Sequence, residues 1–409
     1  MNRLIPIIFI WLLADIYVFQ AVKTATSNRY IWWAFWLYDG LVAATVIYYM
    51  LTGKPIINSL KGIYWGLMLL SLLPKLIVIP FLLLEDIGRT VHLAFNWITN
   101  MLPSSTSQQE HVYMVSRKKF ISQLAIGIAT VPFLGLLYGM VKGKYDYQVH
   151  RVKLKFKDLP DAFNGFTITQ LSDIHSGSFD SKADVERGVA LANKQKSDVL
   201  LFTGDLVNTT ATEMDEWMVT FSALSATSGK FSVLGNHDYG DYKTWESKTA
   251  KEDNLQQLKD VHKELGFRLL LNENLKIEKS GQYITLIGVE NWGKGGFQKY
   301  GDLNKAVEGV NGEDFKILMS HDPSHWEAQT LHHPQHIHLT LAGHTHGMQF
   351  GIEIPGFKWS PVKYMYKQWA GIYNEGSKYL YVNRGFGFLA YPGRVGIWPE
   401  VTVITLEKG

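Results

Sequence analysis

The chain has 409 residues, 46% of them hydrophobic, and no cysteine. That length suits two domains better than one, and the absence of cysteine excludes disulfides, thiolate metal sites and cysteine nucleophiles. The net charge of +3 conceals an asymmetry: residues 1–145 carry 12 Lys/Arg against 5 Asp/Glu, and the remainder 28 against 32. The basic excess therefore lies beside hydrophobic segments, where it orients helices, and the rest of the chain has no basic surplus to make nucleic acid an expected partner.

Four stretches in the first half are apolar: 4–22, 31–51, 62–84 and 120–141. Each has about the ~20 residues needed to cross ~30 Å of hydrocarbon as a helix. Buried core helices are the alternative, but four such runs in 141 residues leave little to bury them. A cleaved leader fits the first run poorly, because few basic residues precede it and a second apolar run follows. Trp32, Trp33 and Trp36 read as an interfacial aromatic belt. Residues 85–102 mix Glu85, Asp86, Arg89 and His92 into an apolar pattern, as in an amphipathic helix lying at the interface; a fifth crossing there would invert the topology upstream. Asp15, Asp39 and Lys75 fall inside apolar runs, where they are expected to pair or to reach headgroups. No paired charges are obvious in these runs, which disfavours a transporter.

Arg117-Lys118-Lys119 precedes the last apolar run and favours the cytoplasmic side. The following helix then exits, and the remainder of the chain faces outward from a bacterial inner membrane. The opposing basic residues Arg151, Lys153, Lys155 and Lys157 alternate with Val152, Leu154 and Phe156, the pattern of a solvated edge strand. The alternative places the second domain on the cytoplasmic face.

From Tyr147 onward the periodicity changes. Short β-branched runs alternate with helical stretches at Lys182–Gln195, Met214–Ala226 and Leu255–Leu265, which is α/β patterning. The chain thus divides into a transmembrane helical region, 1–145, and a second domain, 146–409.

Five short segments of that domain each follow a run that reads as a buried strand. They are Asp173-Ile174-His175, Gly204-Asp205, Gly235-Asn236-His237-Asp238, Ser320-His321-Asp322 and Gly343-His344-Thr345-His346; the strands before them are Phe166–Leu171, Asp198–Thr203, Lys230–Leu234, Phe315–Met319 and Ile337–Ala342. Strand ends that deliver polar groups to a common rim are how open α/β folds build sites. Mixed Asp, Asn and His donors suit a pair of borderline divalent metals, and two metals can clamp both oxygens of a phosphoryl displacement. Asp173 and His175 can converge on one ion, Asp205 can reach between two, and Asn236 offers a neutral oxygen. His344 and His346 can serve different ions, and His321 completes the second. Any one of these motifs alone is a turn signal or a core histidine; five in order point to a metal-dependent phosphoesterase. His332, His333, His336 and His338 form a second cluster, read as a loop and one solvated strand face.

The order D-x-H, G-D, G-N-H-D, S-H, G-H-x-H resembles the calcineurin-like metallophosphoesterases over about 166–406. The resemblance implies a four-layer αββα sandwich, here preceded by transmembrane helices. It implies that Asp173, His175 and His346 bind a first metal, that Asn236, His321 and His344 bind a second, and that Asp205 bridges them. It also implies that His237 protonates the leaving group, oriented by Asp238, after attack by metal-bound hydroxide. Gln368–Gly371, Val382–Gly387, Arg394 and Pro399–Thr402 are similar to the membrane-anchored bacterial branch with twin-arginine-type leaders. That branch includes phosphodiesterase-like enzymes and a UDP-diacylglucosamine pyrophosphohydrolase. Met348 stands where the family usually has a second glycine, and several crossings rather than one leader precede the domain.

The expectation is a membrane-anchored hydrolase of a phosphodiester or pyrophosphate bond in a lipid or envelope substrate, using two ions of Mn, Fe, Zn or Ni, with membrane lipids as partners. The rivals are a phosphomonoesterase or phosphoprotein phosphatase, and a non-catalytic scaffold or sensor, against which the retention of His237 argues. Trp359, Tyr364, Tyr366 and Trp369, with Lys358, Lys363 and Lys367, read either as surface-loop packing or as a lip for a lipid surface.

Overall fold

The computed structural model describes residues 4–52, 62–100 and 109–409. They fall into two compact units, Met1–Met140 and Val141–Gly409. The first is helical: α1 (Leu4–Ala25), α2 (Arg29–Thr52), α3 (Ile63–Asn100) and α4 (Gln109–Val141). Among the described residues, three helical stretches, at 29–49, 63–99 and 117–141, are long and apolar enough to cross a membrane. Small and branched residues hold the bundle together, with Val18, Ala21, Val78, Leu82, Ala125 and Ala129 packed in one cluster, while Leu37, Leu84 and Val131 stay exposed on its outside.

Two readings of this unit change. Residues 85–100 are not a separate helix, because α3 runs unbroken for 38 residues through Pro74 and Pro80; residues 101–102 of that expected segment lie outside the described residues. The apolar runs do contain paired charges. Lys75 Nζ is 2.6 Å from Asp39 Oδ1, 2.6 Å from Ser71 Oγ and in contact with Asp15, all of them buried. The pairing expected of Asp15, Asp39 and Lys75 is thus made, across 60 and 36 residues of sequence. A cavity of about 220 Å³ lies beside this cluster.

The second unit is built on two six-stranded mixed sheets. One has the order β1-β14-β2-β3-β4-β5, from β1 (Gln148–Phe156), β14 (Glu400–Lys408), β2 (Thr167–Leu171), β3 (Val199–Phe202), β4 (Lys230–Ser232) and β5 (Arg268–Leu269). The other has the order β12-β13-β9-β8-β7-β6, from β12 (Gly371–Glu375), β13 (Lys378–Val382), β9 (Leu339–Ala342), β8 (Lys316–Met319), β7 (Gln282–Gly288) and β6 (Glu273–Lys279). A separate hairpin pairs β10 (Ile352–Ile354) with β11 (Phe357–Trp359).

Strand alternation explains the layers. In β3, Val199 and Leu201 join Ile168, Ile284, Ile317 and Leu339 in the core between the sheets. Leu200 and Phe202 face the other way, toward α5 (Lys182–Asn193), α6 (Met218–Ser222) and α7 (Lys248–Glu264). Beyond the second sheet, α8 (Leu303–Ala306) packs Leu303 and Ala306 on Ile287 and Leu318, and α9 (Ser324–Ala328) packs Trp326 on Ala342 and Leu380. Helix, sheet, sheet and helix thus make four layers. β1 is an edge strand with Arg151, Lys153 and Lys155 exposed and Leu154 and Phe156 buried. The stretch expected as a helix at 214–226 is broken, with only Met218–Ser222 α-helical. β2, β3 and β4 run parallel, as do β8 and β9, so one rim of both sheets collects their carboxyl ends.

Candidate metal centre

All five motif segments sit just past the ends of β2, β3, β4, β8 and β9. Backbone bonds sew them together: Asp173 N–H donates to Gly204 O (2.9 Å), His175 N–H to Asp205 O (3.1 Å) and Gly343 N–H to His321 O (2.9 Å). Gln170 Nε2 crosses from one sheet to the other, donating to Ala342 O at 2.9 Å. Asp173, His175, Asp205, His344 and His346 all have left-handed backbone, with φ of 53°, 49°, 59°, 70° and 50°. This conformation costs a non-glycine residue about 1–2 kcal/mol, and such strain clusters where a site over-determines its geometry. The crowding is tight enough that a Cβ on Gly343 would collide with Ser172 Oγ and Asp173 Oδ2.

Two groups of donors result. Asp173, His175 and His346 present ligand atoms within 4.8 Å of one another, and so do Asp205, His321 and His344. Asn236 Oδ1 adds to the second group, 2.8 Å from His344 Nδ1. Asp205 Oδ2 faces both, at 3.1 Å from His321 Nε2 and 3.6 Å from His175 Nε2.

Hydrogen bonds at Nδ1 aim two of the imidazoles into the site. His321 Nδ1 is 2.7 Å from Thr203 O, so it donates there. His175 Nδ1 is 3.1 Å from Asn208 Oδ1. The buried Nε2 atoms of His175, His321 and His346 converge on carboxylate oxygens, at 3.6 Å and 3.1 Å from Asp205 and 3.3 Å from Asp173, an arrangement in which a cation could take the place of a proton between each pair. A metal-binding histidine commonly donates its other N–H in this way, which fixes ring and tautomer. His344 reverses the use of its nitrogens: Nε2 meets Tyr366 Oη at 2.8 Å, leaving Nδ1 beside Asn236 Oδ1. Asn236 Nδ2 donates to Tyr242 Oη at 2.8 Å, which turns its oxygen inward. The residues present fit a pair of divalent ions.

Charge is organised around Asp205. Burial opposes ionisation of Asp205, but His321, His237 and His175 around it hold the carboxyl well below its usual range. Burial would lower His321 too, yet the Asp205 carboxylate and its hydrogen bond push it up to about 10. Burial keeps His175 well below the ordinary imidazole range, and lowers His344.

His237 belongs to neither donor group. Its Nδ1 donates to Asn208 O at 2.8 Å, its backbone N–H to Asp205 Oδ1 at 2.8 Å, and its ring stacks on half-exposed Tyr242. Asp238 does not orient this ring, contrary to the sequence expectation. Its oxygens accept the backbone N–H groups of Asp205 (2.9 Å), Leu206 (2.8 Å), Val207 (3.4 Å) and Gly235 (2.8 Å). Burial, with Asp205 nearby, pushes Asp238 up to about 7 against those donors. Asp238 ties the second and third motif loops together, and a backbone carbonyl holds the histidine instead.

Asn208 therefore serves two histidines, with its side chain on His175 and its carbonyl on His237. Nothing in Asp205-Leu206-Val207-Asn208 marks it beforehand. Tyr366 lay in a stretch chosen for its aromatic and basic content; its tie to His344 requires the fold. Buried Arg394 lies 3.2 Å from His346 Nδ1 and donates to the carbonyls of Arg384 (2.8 Å), Gly385 (3.2 Å) and Gly387, bracing that wall. Of the second histidine cluster, His338 is not on a solvated face: it is buried between Phe156 and Phe315 and accepts from Lys316 N–H at 3.0 Å.

Residues 166–348 match the family model described as calcineurin-like phosphoesterase, and residues 1–144 match one described as probable calcineurin-like phosphoesterase, transmembrane domain. The chain is similar to the uncharacterized metallophosphoesterase YkuE of Bacillus subtilis, 29% identical over 72% of this chain and 98% of that one. It is similar to a transmembrane protein with metallophosphoesterase domain of Danio rerio, 27% identical over 76% of this chain and 68% of the relative. It is also similar to the phosphodiesterase YaeI of Escherichia coli, 26% identical over 72% of this chain and the whole of that protein.

Proposed function

We propose, on the premise that this membrane protein belongs to the calcineurin-like phosphoesterase family, that it hydrolyses a phosphodiester or pyrophosphate bond in a lipid or cell-envelope substrate. The observation that carries this reading is the pair of donor groups sharing Asp205, with His237 beside them and outside both. Asp173, His175 and His346 would hold one ion, Asn236, His321 and His344 the other, and Asp205 both. Two divalent ions, of Mn, Fe, Zn or Ni, would neutralise phosphoryl charge and make a nucleophile available near neutral pH.

The protein's own groups do the rest. Thr203 O, Asn208 Oδ1 and Tyr366 Oη fix three imidazoles, so the donor set keeps its shape when substrate arrives. His237 Nδ1–H is committed to Asn208 O, so Nε2 is the ring atom free to take up and give a proton. From there it passes the proton to the departing oxygen, the role of a general acid. Tyr242, stacked on that ring and bonded to Asn236, flanks the leaving-group side. The phosphodiesterase name of the Escherichia coli relative supports a diester over a monoester.

The test is turnover of bis-p-nitrophenyl phosphate against p-nitrophenyl phosphate with Mn²⁺. Preference for the diester supports the reading, and a clear preference for the monoester overturns it in favour of a phosphomonoesterase. The reading also includes orientation: Arg117-Lys118-Lys119 on the cytoplasmic side, and the catalytic unit facing outward from a bacterial inner membrane. An alkaline phosphatase fused after Gly409 is then active; an inactive phosphatase with a bright cytoplasmic fluorescent fusion reverses the orientation.

A further inference from the structure

The β10–β11 hairpin is built inside out. Register pairs Ile352 with Trp359, Glu353 with Lys358 and Ile354 with Phe357 across a Pro355-Gly356 turn whose glycine has φ of 81°. Alternation puts Ile352, Ile354, Phe357 and Trp359 on one face and Glu353 and Lys358 on the other. The charged face is the one pegged down. Arg384 Nε donates to Glu353 Oε2 at 2.9 Å, and Lys358 Nζ donates to Ala370 O and lies 4.7 Å from the Tyr373 ring centre.

The apolar face is left outward except at half-buried Trp359. Ile352, Ile354 and Phe357 are 50, 58 and 53% exposed, and Tyr364 and Met365, just beyond, are 75 and 71% exposed. Packing does not explain this, because the same stretch supplies a satisfied core: Val362, Trp369, Ala370 and Ile397 are buried together with Tyr366 against them. Met348 adds to the exposed set from a left-handed position, φ 54°, where a side chain has no conformational reason to be.

This crest is continuous with the metal centre. Ser360 Oγ donates to Gly347 O at 2.8 Å, Thr345 Oγ1 to Trp369 O at 2.6 Å, and Tyr366 Oη meets His344. Residues 348–367 contain Lys358, Lys363 and Lys367 and one acid, Glu353; Arg384 pairs with Glu353 and Glu327 with Lys367, and Lys358 lies on the pegged face, so Lys363, beside exposed Tyr364, is the cation that borders the apolar face. An exposed apolar face bordered by a basic residue suits the headgroup layer, where anionic lipids draw the cation. The chain carries its own membrane-crossing helices, so a bilayer is always at hand.

We propose that the crest formed by Met348, Ile352, Ile354, Phe357, Tyr364 and Met365 seats in the lipid headgroup layer and presents the metal centre to an amphiphilic phosphoester whose tails stay in the bilayer. The inference rests on the hydrolase reading for its substrate half only.

The absence of cysteine makes the test direct, since one introduced cysteine gives one label. Phe357→Cys and Val219→Cys, the latter on α6 and exposed, are made in the full chain, labelled with an environment-sensitive fluorophore, and reconstituted into phosphatidylcholine vesicles with or without phosphatidylglycerol. The expected result is a blue-shifted label at 357, quenched severalfold more than at 219 by lipids carrying a headgroup nitroxide, and more strongly with phosphatidylglycerol present. Equal quenching at both positions overturns the proposal. A blue-shifted label shielded from lipid nitroxide also overturns it, since protein then covers the crest; crosslinking of Phe357→Cys copies would identify a second chain as that cover. Phe357→Asp supplies the kinetic arm. Turnover of bis-p-nitrophenyl phosphate should stay unchanged while turnover of a vesicle-borne acylated phosphodiester falls severalfold, and an equal effect on both counts against lipid presentation. Failure of the hydrolase reading is distinguishable: no turnover of the soluble diester by the unmodified chain leaves the quenching result standing.

Discussion

Within one stretch of chain the molecule does two opposite things. At 173, 175, 205 and 321 it buries carboxylates and imidazoles completely; at 352, 354 and 357 it exposes large apolar side chains. Both arrangements run against the direction that folding free energy favours. The buried charges are made tolerable by each other and by backbone donors, as Asp173 shows by accepting His344 N–H at 3.0 Å. The exposed apolar face has no such internal compensation, so its compensation has to come from outside the chain. Buried polar groups that converge on one another mark a site that holds its ligand; apolar exposure over a pegged polar face marks a surface that waits for a partner.

The comparison breaks first if the donor groups do not act together. Asp205→Asn should cost both ions, because one Asp205 oxygen faces both groups, and turnover should fall to background. Elemental analysis of the purified variant decides it: two ions per chain retained would end the shared-ligand assignment.

His237→Ala comes next. Ion content should stay near normal, since His237 is in neither donor group, while turnover drops by ~10²–10⁴ for poor leaving groups. The deficit should shrink for p-nitrophenolate, which leaves without help. An equal deficit for all leaving groups would assign His237 to structure.

The two regions meet at Tyr366, which reaches from the crest segment to His344. Tyr366→Phe removes the hydroxyl that fixes the His344 tautomer, and such an outer contact is worth ~10–100-fold in metal affinity. The weakening should fall on one ion only, read as one unchanged and one weakened step in a Mn²⁺ titration. Two equally weakened steps would show that the tyrosine supports the fold generally.

A smaller effect concerns protons. Without ions, His321 is held protonated by Asp205, with its pKa pushed up from 6.5 to about 10. That proton stabilises the ion-free fold fully below pH 6.5, and the contribution is lost as the pH rises through about 10. An ion at Nε2 must displace it, so Mn²⁺ affinity should rise with pH through neutrality and binding at pH 7.5 should release about one proton. Calorimetry in two buffers of different ionisation enthalpy measures this, and heats that do not depend on the buffer would contradict it.

The two regions also differ in how far they could be read in advance. The rim is legible because each donor follows a strand by two to four residues: β2, β3, β4, β8 and β9 read as short apolar runs, and Asp173, His175, Asp205, Asn236, His321, His344 and His346 stand just after them. What escaped was non-local. Asn208 and Tyr366 act across 33 and 22 residues on His175 and His344; sequence spacing carries no trace of such contacts. Asp238 misled for the converse reason. Adjacent in sequence to His237, it turns to the backbone of another loop. The crest is half legible: composition marks the aromatic and basic stretch, but only the folded chain separates Trp369 and Tyr366, which pack inward, from Tyr364, which does not.

The smallest expected effect tests that separation. If the outward face of the hairpin has no partner within the chain, removing its largest side chain should leave folding stability untouched. Phe357→Ser should shift stability by no more than ~0.5 kcal/mol, the usual range for a surface position. Leu339→Ala, in the fully buried core between the sheets, should cost ~2–5 kcal/mol. Hydrogen exchange of the Leu339–Ala342 amides in the full chain reads both on one scale, because these central β9 amides report the opening of the whole sheet. A loss of a kilocalorie or more in Phe357→Ser would mean that the ring is held by the protein itself. The crest would then be an incompletely packed corner of the fold, and the contrast with the metal rim would be one of degree.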